Sequence, residues 1–375
     1  DGRTFVASLV ALEGKDLIGI AQTGTGKTLA FGIPIFQRLG ESTGQALIVV
    51  PTRELAIQVD EALQRLGRTF GIRTAVLIGG APMDRQLRML QAQPRIIIGT
   101  PGRINDHLMQ RTLNLSNTAI LILDEADRML DMGFAPQIKK ILQVLPRERQ
   151  TMLFSATMPN DIIRIANSYM KLPLRIEIAR PGTTLEAVAQ ELFVVNKHDK
   201  MRLLDKLLTE YHGTVLVFSR TKYGAKRITM PVRNMGHRVA EIHSNRSLGQ
   251  RRDALDGFKS GKYRVLVATD IAARGIDVIG IEAVINFDIP EHAEDYVHRI
   301  GRTGRAGMTG RAITFASPEQ KREVQDIQRL TRVWIPISKL PDLPQERPAP
   351  AYIPREDFSG PQSGYSRSPR PFRRF

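Results

Sequence analysis

Apolar residues come in short runs along this chain, each followed by a longer stretch in which they recur every three or four positions. In the first half the runs occupy residues 17–21, 46–50, 74–78, 95–99, 119–123 and 151–154. Ile, Val and Leu dominate them without polar alternation, which is the pattern of central strands in a parallel sheet covered on both faces. Between them, residues 53–70 place Leu55, Val59, Leu63 and Leu66 on one helical stripe. The second half repeats the scheme, with runs at 192–195, 215–218, 239–242, 265–268, 283–287 and 312–315. Two open α/β domains follow, with parallel sheets flanked by helices. The joint is expected near residues 179–186, where Pro181 and Gly182 break the pattern. Pro231 is expected to interrupt a helix, at a cost of about 3 kcal/mol for an interior position.

A chain of 375 residues suits two domains of about 150–170 residues and a tail. The expected division is 1–180, 187–336 and 337–375. From residue 358 to 375 there are four arginines and no acids, with Phe and Tyr among Gly, Ser and Pro. Such a segment cannot bury enough apolar area to fold. It reads as a flexible, disordered tail that is either RNA-gripping or merely solubilising. Arginine and aromatics together favour RNA.

Charge sharpens the picture. Lys and Arg number 54 against 38 acids, a formal net charge of +16, which favours a polyanionic partner. Cysteine is absent, so disulfides and thiolate metal sites are excluded, and a reducing cytoplasmic setting is expected. No apolar run is long enough to span a membrane, and no basic-then-apolar leader pattern opens the chain.

Chemistry enters at Ala21-Gln22-Thr23-Gly24-Thr25-Gly26-Lys27-Thr28, between a strand run and a helix. Gly24 and Gly26 let the backbone curl so that its N–H groups face a phosphate, at a helix N-terminus that adds a positive dipole end. Lys27 is placed to reach the β- and γ-phosphates and Thr28 to ligate Mg2+. The general pattern has glycine where this chain has Ala21, so the motif alone is also compatible with a plain Gly/Thr-rich turn. The acidic partner decides between them. The run 119–123 ends in Asp124-Glu125, one carboxylate to hold Mg2+ through water and its neighbour to position and deprotonate the attacking water.

Asp124-Glu125-Ala126-Asp127 is the signature of the DEAD-box ATP-dependent RNA helicases, and the chain resembles that family over roughly residues 12–335. The remaining motifs stand in order: Pro51-Thr52-Arg53-Glu54-Leu55-Ala56, Gly79-Gly80, Thr100-Pro101-Gly102-Arg103 and Ser155-Ala156-Thr157, then Val217-Phe218-Ser219-Arg220-Thr221-Lys222, residues 268–277, and His298 through Arg305. The wording at 165–178 and 243–252 looks most like the bacterial RhlE-type branch. The resemblance implies two tandem RecA-like domains. It also implies that Arg302 and Arg305 approach the γ-phosphate from the second domain, that Asp277 touches the ribose, and that Asp127, Ser155, Thr157 and His298 couple the two sides of the cleft. Without it, Ser155 and Thr157 read as helix caps and His298 as a core histidine. By the same resemblance, RNA backbone contacts fall to Thr52, Arg53, Gly80, Thr100, Arg103 and Arg128 in the first domain and to Arg220, Thr269 and Gly275 in the second. Small residues allow close approach and arginines neutralise phosphate, so sequence specificity should be low.

The implied activity is an RNA-dependent ATPase that closes two domains, bends one strand and opens short duplexes. Its partner would be RNA, in ribonucleoprotein such as ribosome precursors or mRNA, and the protein a monomer. One feature departs from the family. Residues 3–10 contain no match to the glutamine that reads adenine, which lies upstream of Asp1 or is lost. On the second alternative the chain would be a non-hydrolysing RNA clamp. A DNA translocase with a related motor is a third reading, disfavoured by the acidic signature and Ser155-Ala156-Thr157.

Overall fold

The computed structural model describes residues 2–20, 26–68, 70–177, 188–273, 278, 280–304 and 308–345. The expected joint therefore lies wholly outside the described residues, as does the Arg-rich tail.

In chain order the first domain runs α1 (Gly2–Leu12), β1 (Leu17–Ile20), α2 (Lys27–Glu41), β2 (Gln45–Val49), α3 (Arg53–Gly67), β3 (Thr74–Leu77), α4 (Met83–Gln91), β4 (Ile96–Gly99) and α5 (Pro101–Met109). It continues with β5 (Thr118–Leu123), α6 (Ala126–Asp131), α7 (Ala135–Val144), β6 (Gln150–Ser155), α8 (Asn160–Tyr169) and β7 (Leu174–Glu177). The second comprises β8 (Val188–Val194), α9 (Lys200–Glu210), β9 (Thr214–Phe218), α10 (Lys222–Asn234), β10 (Val239–Ile242), α11 (Leu248–Lys259) and β11 (Val265–Ala268). It ends with α12 (Asp270–Ala273), β12 (Ile281–Asn286), α13 (Ala293–Ile300), β13 (Gly310–Ala316), α14 (Lys321–Thr331) and β14 (Ile337–Ser338).

The two sheets share one topology. The first is ordered β3-β4-β2-β5-β6-β1-β7 and the second β10-β11-β9-β12-β13-β8-β14. Counted from each sheet's own first strand, both read 3-4-2-5-6-1-7. The described pairings are all parallel. These are two tandem RecA-like α/β domains.

Unbroken apolar runs arise because both faces of each sheet are covered. On β2, Ala46 and Ile48 enter one core cluster while Leu47 and Val49 enter the other. In the second domain Val215 and Val217 face one cluster, Leu216 and Phe218 the opposite one. With every strand parallel, the C-terminal ends Ile20, Val49, Leu77, Gly99, Leu123 and Ser155 share one rim, where ligands gather in such sheets.

Two strands escaped the sequence reading. β7 is largely exposed and β14 is two residues long; both are edges with no apolar run to announce them. Ordered structure also continues past residue 337, the expected start of the tail. Ile337 and Ser338 pair with β8, and Arg202 donates to the carbonyls of Pro344 at 2.8 Å and Leu343 at 3.4 Å. Pro231 does not end its helix: α10 runs through it. Pro231 sits one turn from the end, and Met235 N–H still bonds its carbonyl at 2.9 Å, so only one amide donor is forfeited.

Candidate active site and nucleic-acid interface

Of the phosphate loop, Ala21, Gln22, Thr23, Gly24 and Thr25 lie outside the described residues. Gly26 caps α2 with φ 83°, a left-handed value that glycine adopts without steric cost. Lys27 opens the helix only 8% exposed, its Nζ 3.4 Å from Asp124 Oδ1. Thr28 follows, half-buried. Asp124 is held at the rim by its own N–H on Val49 carbonyl at 3.0 Å and accepts from Glu125 N–H at 2.9 Å. Burial pushes its carboxyl above the usual range; Lys27 pulls it down and Glu125 pushes it further up.

Glu125 is buried and holds φ 52° and ψ 50°, a strained conformation for a non-glycine residue, of the kind found at functional sites. Arg128, one turn along α6, is 1% exposed with Nε 3.7 Å from Glu125 Oε2. Asp127 joins two loops. Its Oδ2 accepts from Ala156 N–H at 3.1 Å and from the N–H and hydroxyl of Thr157, both at 2.9 Å. Ser155 Oγ accepts from Asp127 N–H at 3.3 Å and donates to Thr157 carbonyl at 2.6 Å. The structure thus brings Asp127, Ser155 and Thr157 into one clasp, more than helix capping requires.

Arg128, Phe218, Asp270, Ala273, Asp295, His298, Arg299 and Arg302 line one crevice between the domains. His298 is half-buried there rather than packed in a core. Arg302 is buried, its Nε donating to His298 carbonyl at 3.2 Å. Asp277, Gly275 and Arg305 lie outside the described residues. A second link spans the domains: Arg251 on α11 donates to Glu54 on α3 at 2.8 Å, both buried.

The expected RNA contacts of the first domain cluster at the ends of β2, β3 and β4. Thr52 caps α3 by accepting Leu55 N–H at 3.2 Å. The Arg53 guanidinium lies against Gly79 and Gly80, where a Cβ on Gly80 would collide with Nη1; Gly80 also needs its φ of 77°. Thr100 stands at the N-cap position of α5, its carbonyl accepting Ile104 N–H at 3.1 Å, and Arg103 donates to Ala81 carbonyl at 3.2 Å. Arg128 departs from this set. It was expected on the RNA surface, but its place on the buried side of α6 turns it toward Glu125 and the crevice. In the second domain Arg220 is exposed, with its N–H on Asp288 at 3.1 Å, and Thr269 anchors the start of α12.

Sequence reasoning missed the residues that brace these loops. Gln86 is buried and clasps the Gly79-Gly80 turn: its Oε1 accepts Ile78 N–H at 3.1 Å and its Nε2 donates to Ile78 and Ala81 carbonyls at 3.2 and 3.1 Å. His107 on α5 touches Gln86 Oε1 at 3.4 Å and Thr112 at 2.8 Å; burial lowers its pKa, favouring the neutral ring. Only the position of Gln86 three residues into α4, after two glycines, hinted at this. Gln86→Leu leaves buried amide and carbonyl groups unpaired at about 1–3 kcal/mol each. RNA affinity is expected to fall about tenfold, the equivalent of 1.4 kcal/mol, with nucleotide binding retained. Parallel titrations of RNA and nucleotide check it, and an unchanged RNA affinity would refute it.

The sequence profile of the DEAD/DEAH box helicases matches residues 5–165, and that of the helicase conserved C-terminal domain matches 199–307. The DEAD-box ATP-dependent RNA helicase CshA of Geobacillus kaustophilus is 44% identical over 337 residues, covering 89% of this chain and 72% of the relative. The chain belongs to the DEAD-box helicase family. The ATP-dependent RNA helicase CshA of Listeria monocytogenes is 45% identical over 326 residues, 86% of this chain but 63% of the relative, so this chain spans under two thirds of that protein. These relatives carry the CshA name, and the RhlE-type branch expected from residues 165–178 and 243–252 is not supported; two short stretches weigh little against identity over more than 320 residues.

Solved structures agree on the fold. Saccharomyces cerevisiae Dbp5 bound to RNA and ADP BeF3 superposes with a TM-score of 0.77 at 29% identity, covering 86% of this chain and 85% of that one. The DEAD-box helicase Mss116 bound to ssRNA and UDP-BeF gives 0.82 at 26% identity, covering 91% and 75%. Among the described residues no helix is long and apolar enough to cross a membrane.

Proposed function

We propose that this protein is an RNA-stimulated ATPase that opens short RNA duplexes and remodels RNA in ribonucleoprotein by closing its two domains over nucleotide and strand. The observation that supports this most is the line of buried charge from Lys27 through Asp124, Glu125 and Arg128 to a crevice shared with His298 and Arg302. Hydrolytic groups and arginine thus come from different domains, so turnover requires closure. Lys27 would hold the terminal phosphates. Glu125, fixed by its strained backbone and by Arg128, would orient and deprotonate water. Arg302, with Arg305, would neutralise charge on the transferred phosphoryl group.

Mg2+ fits the residues present. Asp124 and Thr28 offer hard oxygen donors, and such an ion takes one or two carboxylates with the remaining positions filled by water and phosphate oxygen. A cation there would favour the ionised Asp124 that burial disfavours, and it would supply charge neutralisation at the phosphates. Farther along the same rim, beyond the ends of β2, β3 and β4, Thr52, Arg53, Gly80, Thr100 and Arg103 would grip one strand with Arg220 and Thr269. None of them is placed by sequence to read bases, so selectivity would rest on backbone and 2′-hydroxyl contacts.

The test is phosphate release with RNA, with a matched DNA strand, and with neither, for the wild-type chain and Lys27→Ala. RNA is expected to raise turnover well above both other conditions, and Lys27→Ala to abolish the response. Equal stimulation by DNA would favour a DNA translocase. No release above the Lys27→Ala background would favour the non-hydrolysing clamp.

A further inference from the structure

Several exposed helices of this protein neutralise their own charges. Arg65 pairs with Glu61, Arg164 with Asp161, Lys206 with Glu210 and Arg329 with Asp326, each one turn apart. α10 does not. Its sequence, from Lys222 to Asn234, contains Lys222, Lys226, Arg227 and Arg233 and no acid, and among the described residues none of these four has an ion-pair partner. Arg238 follows, also exposed.

Three of these cations are arranged on one face. At 100° per residue, Tyr223, Lys226, Arg227, Met230 and Arg233 fall within one stripe about 120° wide, and all five are exposed. The opposite face carries Ala225, Ile228 and Val232 into the domain core. The outward stripe includes Tyr223 at 69% and Met230 at 51% exposure, with Lys222 Nζ 5.3 Å from the Tyr223 ring centroid. A core role for Tyr223 and Met230 is excluded by that exposure. Unpaired cations interleaved with an exposed aromatic form the surface that single-stranded nucleic acid prefers: charge for backbone, ring for base.

Position adds the second argument. Thr221, the N-cap of α10, directly follows Arg220, the second-domain residue assigned above to the RNA backbone. From that point α10 runs about 20 Å along the domain. We propose that the exposed face of α10 is an auxiliary RNA-binding surface that takes the strand flanking the segment gripped at the rim. Lys226, Arg227 and Arg233 meet phosphates there and Tyr223 stacks on a base. The assignment rests on the RNA-remodelling function proposed above and extends it: the rim binds a short strand, and α10 adds affinity only for RNA long enough to reach it.

The test uses the full chain with a non-hydrolysable ATP analogue and two labelled oligouridylates, one short enough to fill only the rim and one long. Lys226→Glu with Arg227→Glu is expected to weaken the long strand about tenfold and to flatten its salt dependence, by about 0.7 in log–log slope for each phosphate no longer neutralised. Tyr223→Ala is expected to weaken it about tenfold without changing that slope. Short-strand affinity should stay within about twofold in both variants, as the altered groups lie beyond its reach. Lys259→Glu with Lys262→Glu, exposed on and just after α11, makes the same change in net charge and should spare both strands. An unchanged long-strand affinity in the α10 pair overturns the proposal, and so does an equal loss in the α11 pair, which would mean bulk charge alone. Loss of short-strand binding by the wild type would instead sink the RNA-remodelling reading and this surface with it.

Discussion

A Glu125→Gln protein is expected to lose ATP turnover by about 10²–10⁴-fold, the usual contribution of a positioned general base, while still holding nucleotide and RNA. The change is isosteric, so the backbone at φ 52° and the packing of α6 should survive. What is removed is the carboxylate charge and its ability to take a proton. Asp124 and Lys27 are left in place 3.4 Å apart, so nucleotide binding should persist. With hydrolysis blocked and closure permitted, RNA release should slow. Two measurements on one preparation decide the matter: RNA-stimulated phosphate release, and the dissociation rate of labelled RNA after addition of ATP. Turnover within a few-fold of wild type would remove Glu125 from its proposed role. Loss of nucleotide binding together with turnover would make it structural.

The sequence carried the central strands because burial on both faces leaves an unbroken apolar run, as at Ala46–Ile48 of β2, where neighbours face opposite cores. It missed β7 and β14 because edge strands need not be apolar. The clasp of Asp127 with Thr157 was legible only through family resemblance, since a Ser or Thr after a strand has several ordinary uses. Arg128 lies buried against Glu125 rather than on the exposed side its motif suggests, because a motif gives residue order and not orientation. Gln86 and His107 were invisible for another reason. Their partners are mostly backbone atoms of other segments, and nothing in a pattern of side chains records which carbonyl a glutamine will meet.

Arg299→Ala is expected to destabilise the second domain by about 3–5 kcal/mol, the range for removing one partner of a buried ion pair. Arg299 is 1% exposed and satisfied on every side. Its Nε and Nη2 donate to the two oxygens of Asp270 at 2.5 and 2.7 Å, and Nη1 donates to Asp288 carbonyl at 2.6 Å and to Asn286 Oδ1 at 3.3 Å. The guanidinium also stacks 5.0 Å from the Phe218 ring. One side chain on α13 therefore binds the ends of β9 and β12 and the start of α12, the same rim from which Arg220 and Thr269 project. Truncation strands the Asp270 carboxylate and opens a void beside Phe218. A shift in thermal midpoint on the order of 10 °C follows for a domain of this size. Lysine at this position restores charge but not the bidentate fork, so it should recover only part of the loss. Calorimetry of Arg299→Ala, Asp270→Ala and the double variant isolates the pair. If the ion pair carries the effect, the double variant will be clearly less damaged than the two single losses added together. Simple additivity would assign the loss to the void and the severed hydrogen bond to the Asp288 carbonyl, and would detach Asp270 from the explanation.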